Sequence, residues 1–125
     1  MPQGKILIVE DEAIPAMDLQ IMLGQWGYET PRIGTTGDEA IEKSEQDRPD
    51  VALMDINIHG EMNGIEIARR LSSEFGVSII FITGYGDEDI MERVKAVNPS
   101  GIIRKLLNVE KLKAAIESAI NKTAV

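Results

Sequence analysis

Short unbroken apolar runs alternate along the chain with longer stretches in which apolar residues recur every three or four positions. The runs are Ile6-Leu7-Ile8-Val9, Val51-Ala52-Leu53-Met54, Ser78-Ile79-Ile80-Phe81-Ile82 and Gly101-Ile102-Ile103, with a weaker one from Tyr28 to Ile33 that Pro31 interrupts. Because they are continuous rather than alternately polar, the strong runs predict strands covered on both faces, as in a parallel sheet. Pro31 has no N–H for a ladder, which suits the weak run to a sheet edge.

A helical stretch follows each run. The first is predicted from about Ala13 to Trp26, with Pro15 in its first turn, Gly27 beyond its end and a stripe of Ala16, Leu19, Leu23 and Trp26. The second opens at Thr36, with Glu39 three residues on as a capping box, and stops before Pro49. The third runs from about Gly64 to Phe75, with Gly76 after it. The fourth spans about Asp87 to Val97, and the fifth starts after Asn108 with Val109, Leu112, Ile116 and Ile120 in register.

Five βα units predict an α/β, doubly wound, five-stranded parallel sheet, because right-handed crossovers place helices on both faces. The flavodoxin-like strand order 2-1-3-4-5 is adopted as an order known for such (βα)5 sheets, not read from the residues.

At 125 residues the chain has the length of one domain, able to bury roughly two thirds of its unfolded surface. Thirteen basic residues against 21 acidic ones give a net charge of −8, a field that opposes nucleic acid and anionic membranes. Without cysteine there is neither a disulfide framework nor a thiolate metal site. No apolar run is long enough to span a bilayer as a helix, and the start lacks a signal-peptide pattern, so a cytoplasmic location is expected.

Doubly wound sheets place their sites beyond the carboxyl ends of the strands. There the sequence puts Glu10, Asp11 and Glu12 after the first strand, Asp55 and Asn57 after the third, Thr83-Gly84 after the fourth and Arg104-Lys105 after the fifth. One acid at a helix start has a bland explanation in the helix dipole. The whole set predicts a site. Crowded carboxylates repel unless a hard divalent cation compensates them, which suits Mg²⁺. A nucleophilic Asp55, with the Thr83 hydroxyl and Lys105 ammonium nearby, fits phosphoryl transfer onto an aspartate.

Over essentially its full length the chain resembles the receiver domains of two-component response regulators. The resemblance rests on Ile6 to Glu12, Leu53-Met54-Asp55-Ile56, Asn63-Gly64-Ile65-Glu66, Ile82-Thr83-Gly84 and Lys105, in that order and each at a strand end. It implies that Asp55 is the phosphoacceptor. It also implies that Glu10, Asp11, Asp55 and the backbone carbonyl of Asn57 hold Mg²⁺. Thr83 and Lys105 would then receive the phosphoryl oxygens.

The implied partners are a sensor histidine kinase and a downstream protein or fused output domain, with a homodimer left open. The expected domain is a single receiver over residues 1–125, without an output domain in this chain. It would assist its own phosphorylation and dephosphorylation rather than turn over external substrates. Output would pass through the face made by helix 4, strand 5 and helix 5.

Two positions depart from the family pattern. Leu106 stands where proline usually follows the lysine, and a cis bond to a non-proline residue costs about 2.5–4 kcal/mol, so a trans bond or a shifted loop is expected. Ile102 stands where an aromatic residue usually couples the hydroxyl to the output face. His59 is read as an exposed loop residue and Trp26 as helix-end core, while Tyr85, in a position that flanks the phosphorylation pocket in the family, is left open between shielding the phosphate or contacting a partner and plain surface packing.

Other chemistries fit less well. A flavodoxin-type phosphate cradle would need a glycine- and hydroxyl-rich first loop, but Glu10-Asp11-Glu12-Ala13-Ile14-Pro15 repels phosphate, and no G-x-G-x-x-G or P-loop occurs. Aspartyl phosphatases use a second aspartate two residues on for acid catalysis; here that residue is Asn57. A non-phosphorylated module on the same fold would differ in failing to take up acetyl phosphate or beryllofluoride with Mg²⁺.

Overall fold

The apolar runs become strands and the periodic stretches become helices. A computed structural model describes residues 4–10, 12–29, 33–56, 64–83, 91–104 and 109–123. Along the chain β1 (Ile6–Val9), β2 (Ile33–Gly34), β3 (Val51–Asp55), β4 (Ser78–Thr83) and β5 (Gly101–Arg104) alternate with helices. These are α1 (Ala13–Gln25), α2 (Gly37–Asp47), α3 (Gly64–Phe75), α4 (Met91–Ala96) and α5 (Val109–Thr123). All strand pairs are parallel, in the order β2-β1-β3-β4-β5. This is the expected doubly wound, flavodoxin-like sheet. Among the described residues, no helix is long and apolar enough to cross a membrane.

Successive residues of a strand point to opposite faces, which splits each apolar run between two cores. Leu7, Val9, Ala52, Met54, Ile79 and Phe81 meet Ala40 of α2, Ile65, Ala68 and Leu71 of α3 and Val94 of α4. On the other face Ile6, Ile8, Val51, Leu53, Ile80 and Ile82 meet Ala16, Leu19 and Leu23 of α1 and Leu112, Ile116 and Ala119 of α5. Trp26 sits half-buried against the second cluster, with the Lys113 ammonium 5.7 Å from its ring centre, in keeping with a helix-end core role.

The weak second strand is where expectation and structure differ. Instead of Tyr28 to Ile33, the strand is Ile33–Gly34. Lys5 bridges Glu29, and Ile8 and Val9 register with Ile33 and Gly34. Tyr28 is packed into the α1–α5 core instead. A two-residue edge strand offers little unpaired backbone to other chains.

The cap of α2 also differs in detail. The Thr36 hydroxyl accepts the Glu39 backbone N–H at 3.2 Å, as a capping box requires. The reciprocal contact is displaced by one residue, because Glu39 accepts the Thr35 N–H at 3.1 Å and the Thr35 hydroxyl at 2.9 Å. The Thr35 N–H first, and its hydroxyl second, hold the Glu39 carboxyl below the ordinary glutamate range. A depressed folded-state pKa means that this stabilisation is complete above the unfolded value, about 4.3, and is lost as pH falls through the folded one. Glu39→Gln should therefore flatten the acid limb of a plot of urea midpoint against pH. Superimposable limbs for the two chains would show that the carboxylate contributes nothing.

Ser44 is fully buried on α2, and among the described residues its Oγ is a buried side-chain atom with no hydrogen-bond partner. An unmade hydroxyl bond costs about 1–3 kcal/mol, and alanine is also the better helix former. Ser44→Ala is expected to raise stability by about 1 kcal/mol, read as a higher urea midpoint at unchanged slope. A lower midpoint would contradict it.

Candidate functional site

Strand register fixes which residues share the carboxyl edge. Val9 is opposite Met54 and Asp55 is opposite Ile82. Glu10 therefore lies one residue beyond the end of β1, beside Asp55 at the end of β3, and Thr83 ends β4 on the other side of Asp55. These three come from three adjacent strands. All are buried: Glu10 is 5% exposed, Asp55 4% and Thr83 2%.

Local bonds extend the ladders past the strand ends and fix the backbone there. The Glu10 N–H donates to the Gly34 carbonyl at 3.0 Å, and the Ile56 N–H donates to the Ile82 carbonyl at 3.4 Å. The Glu10 carboxylate in turn accepts the Glu12 N–H at 3.1 Å, at the start of α1. The strand that supplies Gly34 was placed too early by the sequence. A glycine just past Ile33 carries no apolar signal, so this support of Glu10 could not be read from the pattern.

Two buried carboxylates on neighbouring strands make an electrostatically expensive arrangement unless positive charge lies close by. Their donor set is hard oxygen, the set that suits Mg²⁺. Among the described residues, no group of three or more acidic, histidine or cysteine side chains is gathered to hold a metal. The described acids at this edge are the buried Glu10 and Asp55 and the exposed Glu12. The other sequence-derived site residues, Asp11, Asn57 and Lys105, lie outside the described residues, as do Gly84, Tyr85, His59 and the Lys105–Leu106 bond. Ile102 is described: it is partly buried and packs against the cluster that contains Phe81 and Val94, so it serves the core between β4 and α4.

Comparison with known proteins places this geometry in context. The model of the response regulator receiver domain matches residues 6–117. The signal receiver domain of a modulated diguanylate cyclase from Desulfovibrio desulfuricans G20 superposes with a TM-score of 0.89 at 39% identity, over 95% of this chain and 94% of that one. Transcriptional regulatory protein PdtaR of Mycobacterium tuberculosis is 32% identical over 118 residues, which are 94% of this chain and 57% of PdtaR. The sporulation initiation phosphotransferase F of Bacillus subtilis is 29% identical over 118 residues, 94% of each chain. The chain thus spans little more than half of PdtaR and nearly all of the Bacillus protein. On the family match and the fold, this chain belongs to the response regulator receiver domains.

Proposed function

We propose that the chain is a phosphorelay receiver in which Asp55 takes a phosphoryl group from a phosphohistidine of a sensor histidine kinase in the cytoplasm. One observation carries the reading: two buried carboxylates and a buried hydroxyl, Glu10, Asp55 and Thr83, end three adjacent strands on one sheet edge.

A carboxylate oxygen of Asp55 attacks phosphorus, the P–N bond to the donor imidazole breaks, and the electron pair leaves with the imidazole nitrogen. The product is an acyl phosphate on Asp55. Glu10, Asp11, Asp55 and the Asn57 carbonyl are the proposed ligands of a Mg²⁺ ion, which when bound neutralises charge on the transferring oxygens. Thr83 donates its hydroxyl to one phosphoryl oxygen, and the Lys105 ammonium pairs with the phosphoryl charge. The buried carboxylates hold the donor oxygens out of water, so little reorganisation accompanies transfer.

Phosphorylation adds charge and acceptor oxygens where a carboxylate stood. Thr83 at the end of β4 and Lys105 after β5 respond to it, and both border the face of α4, β5 and α5, the proposed output surface. Ile102 packs against the cluster that contains Phe81 of β4 and Val94 of α4, so a shift of Thr83 would reach that face through apolar contact rather than through an aromatic swing. A single domain acting on a downstream protein, or joined to an output domain, is equally served by this face. The proposed role is signalling by a modified side chain, without turnover of external substrates.

Incubation with acetyl phosphate and Mg²⁺, followed by peptide mapping of the adduct, tests the reading. The label should reside on Asp55 and require the divalent ion; label on another residue, or none, would defeat it.

A further inference from the structure

Glycine is among the poorest helix formers, yet α3 begins with one. Backbone freedom does not account for Gly64, because the positive-φ glycines described are Gly27 and Gly76. Space does. A Cβ at Gly64 would lie 2.7 Å from the Ile56 carbonyl oxygen, 2.8 Å from the Asp55 carbonyl oxygen and 3.0 Å from the Ile56 Cα. These are main-chain atoms of the residues that end β3, and they cannot swing aside as a side chain can. Elsewhere the main-chain approach is looser: at Gly34 the nearest main-chain atom is 3.2 Å away, at Gly101 the nearest atom is the Ala115 Cβ at 3.2 Å, and at Gly4 the atom at 2.9 Å is the tip of a side chain, Ile120 Cδ1.

The first turn of α3 is therefore seated directly on the peptide that joins Asp55 to Ile56. That turn is itself anchored, since Ile65, Ile67 and Ala68 are buried in the α2–α4 core. On the far side the same peptide is held by the bond from the Ile56 N–H to the Ile82 carbonyl. We infer that Gly64 is a positioning residue for phosphoryl transfer: its bare Cα lets α3 clamp the Asp55–Ile56 peptide, and so sets the direction of the Asp55 carboxylate. A methyl group there must push both carbonyls by a few tenths of an ångström, which rotates the peptide and re-aims the side chain before it. Attack geometry is steeply sensitive to such displacements. The inference rests on the proposal that Asp55 is the acceptor.

Four chains test it with acetyl phosphate and saturating Mg²⁺: the unsubstituted protein, Asp55→Asn, Gly64→Ala and Gly101→Ala. Gly101→Ala controls for crowding remote from Asp55. Rates are expressed per folded molecule, with trimethylamine N-oxide added where a variant is only destabilised, since it favours the compact state. Gly64→Ala should be labelled at least roughly tenfold more slowly. Its Ile56 amide resonance should move, and Gly101→Ala should keep the full rate. Labelling of Gly64→Ala within about twofold of the unsubstituted rate, at odds with the sensitivity invoked, overturns the inference. So does an equal loss in Gly101→Ala, or a Gly64→Ala chain that stays unfolded in the osmolyte. If Asp55→Asn is labelled normally, the acceptor assignment fails and takes this inference with it. An inert Asp55→Asn beside a fast Gly64→Ala removes the inference alone.

Discussion

Asp55→Asn should lose labelling by acetyl phosphate by roughly three orders of magnitude or more, the scale on which enzymes lose rate when a nucleophile is removed. Asparagine keeps the shape of the side chain, and its amide oxygen still accepts hydrogen bonds. It has no carboxylate oxygen to form the acyl phosphate. The loss should come without loss of the fold. Asp55 is buried at the end of β3, and the near-isosteric amide of asparagine fills the same space. In the absence of Mg²⁺ the variant should therefore still unfold cooperatively, as a folded chain does. Added Mg²⁺ should raise the thermal midpoint of the unsubstituted chain, because a ligand bound only by the folded state stabilises it by mass action. That rise should shrink in the variant. Lost labelling with a retained fold separates a removed nucleophile from a damaged structure. Undiminished labelling of Asp55→Asn would exclude Asp55 as the acceptor.

The sheet was legible because its interior strands are covered on both faces. Each strong apolar run has to serve two cores at once, so Ile6 and Ile8 face one helix layer while Leu7 and Val9 face the other. A pattern with that double demand admits few alternatives. The edge strand carried no such demand. The run from Tyr28 to Ile33 is weak in the sequence, and in the structure its strand is Ile33–Gly34 while Tyr28 packs as core. The short cap contact was half legible for a similar reason. The Thr36–Glu39 spacing predicts a capping box, but Thr35 offers a second hydroxyl and N–H one residue earlier, and Glu39 takes those. At the site, Glu10, Asp55 and Thr83 could be placed in advance because parallel pairing in register brings successive strand ends to one edge. What pattern could not supply was the seat of α3. Gly64 looks like a loop-ending glycine in the sequence, and only the distance to the Asp55 and Ile56 carbonyls gives it a reason.

Phe81→Ala should produce the largest loss of stability. Phe81 is fully buried on β4, in register with Met54 of β3 and Ile102 of β5, and it belongs to the core under α2, α3 and α4. Truncating a buried phenylalanine costs about 3–5 kcal/mol, the transfer term plus the cavity left behind. Folded domains have only about 5–15 kcal/mol in hand, so the thermal midpoint should fall by roughly 10–20 °C. Phe81→Leu, which keeps most of the volume, should lose far less. The damage should also be one-sided. Val94 of α4 and Ile102 share the cluster with Phe81, whereas Leu112 and Ile116 of α5 pack on the opposite face of the sheet. Hydrogen exchange should therefore speed up more in α4 than in α5, because local opening follows the loss of local apolar contact. Thr83 lies two residues along the same strand and on the same face, so labelling of Asp55 should slow even at temperatures where Phe81→Ala is folded. A stability loss below about 1 kcal/mol, far under the range for a buried phenylalanine, or exchange raised equally in both helices, would show that this face of the sheet is not held by Phe81.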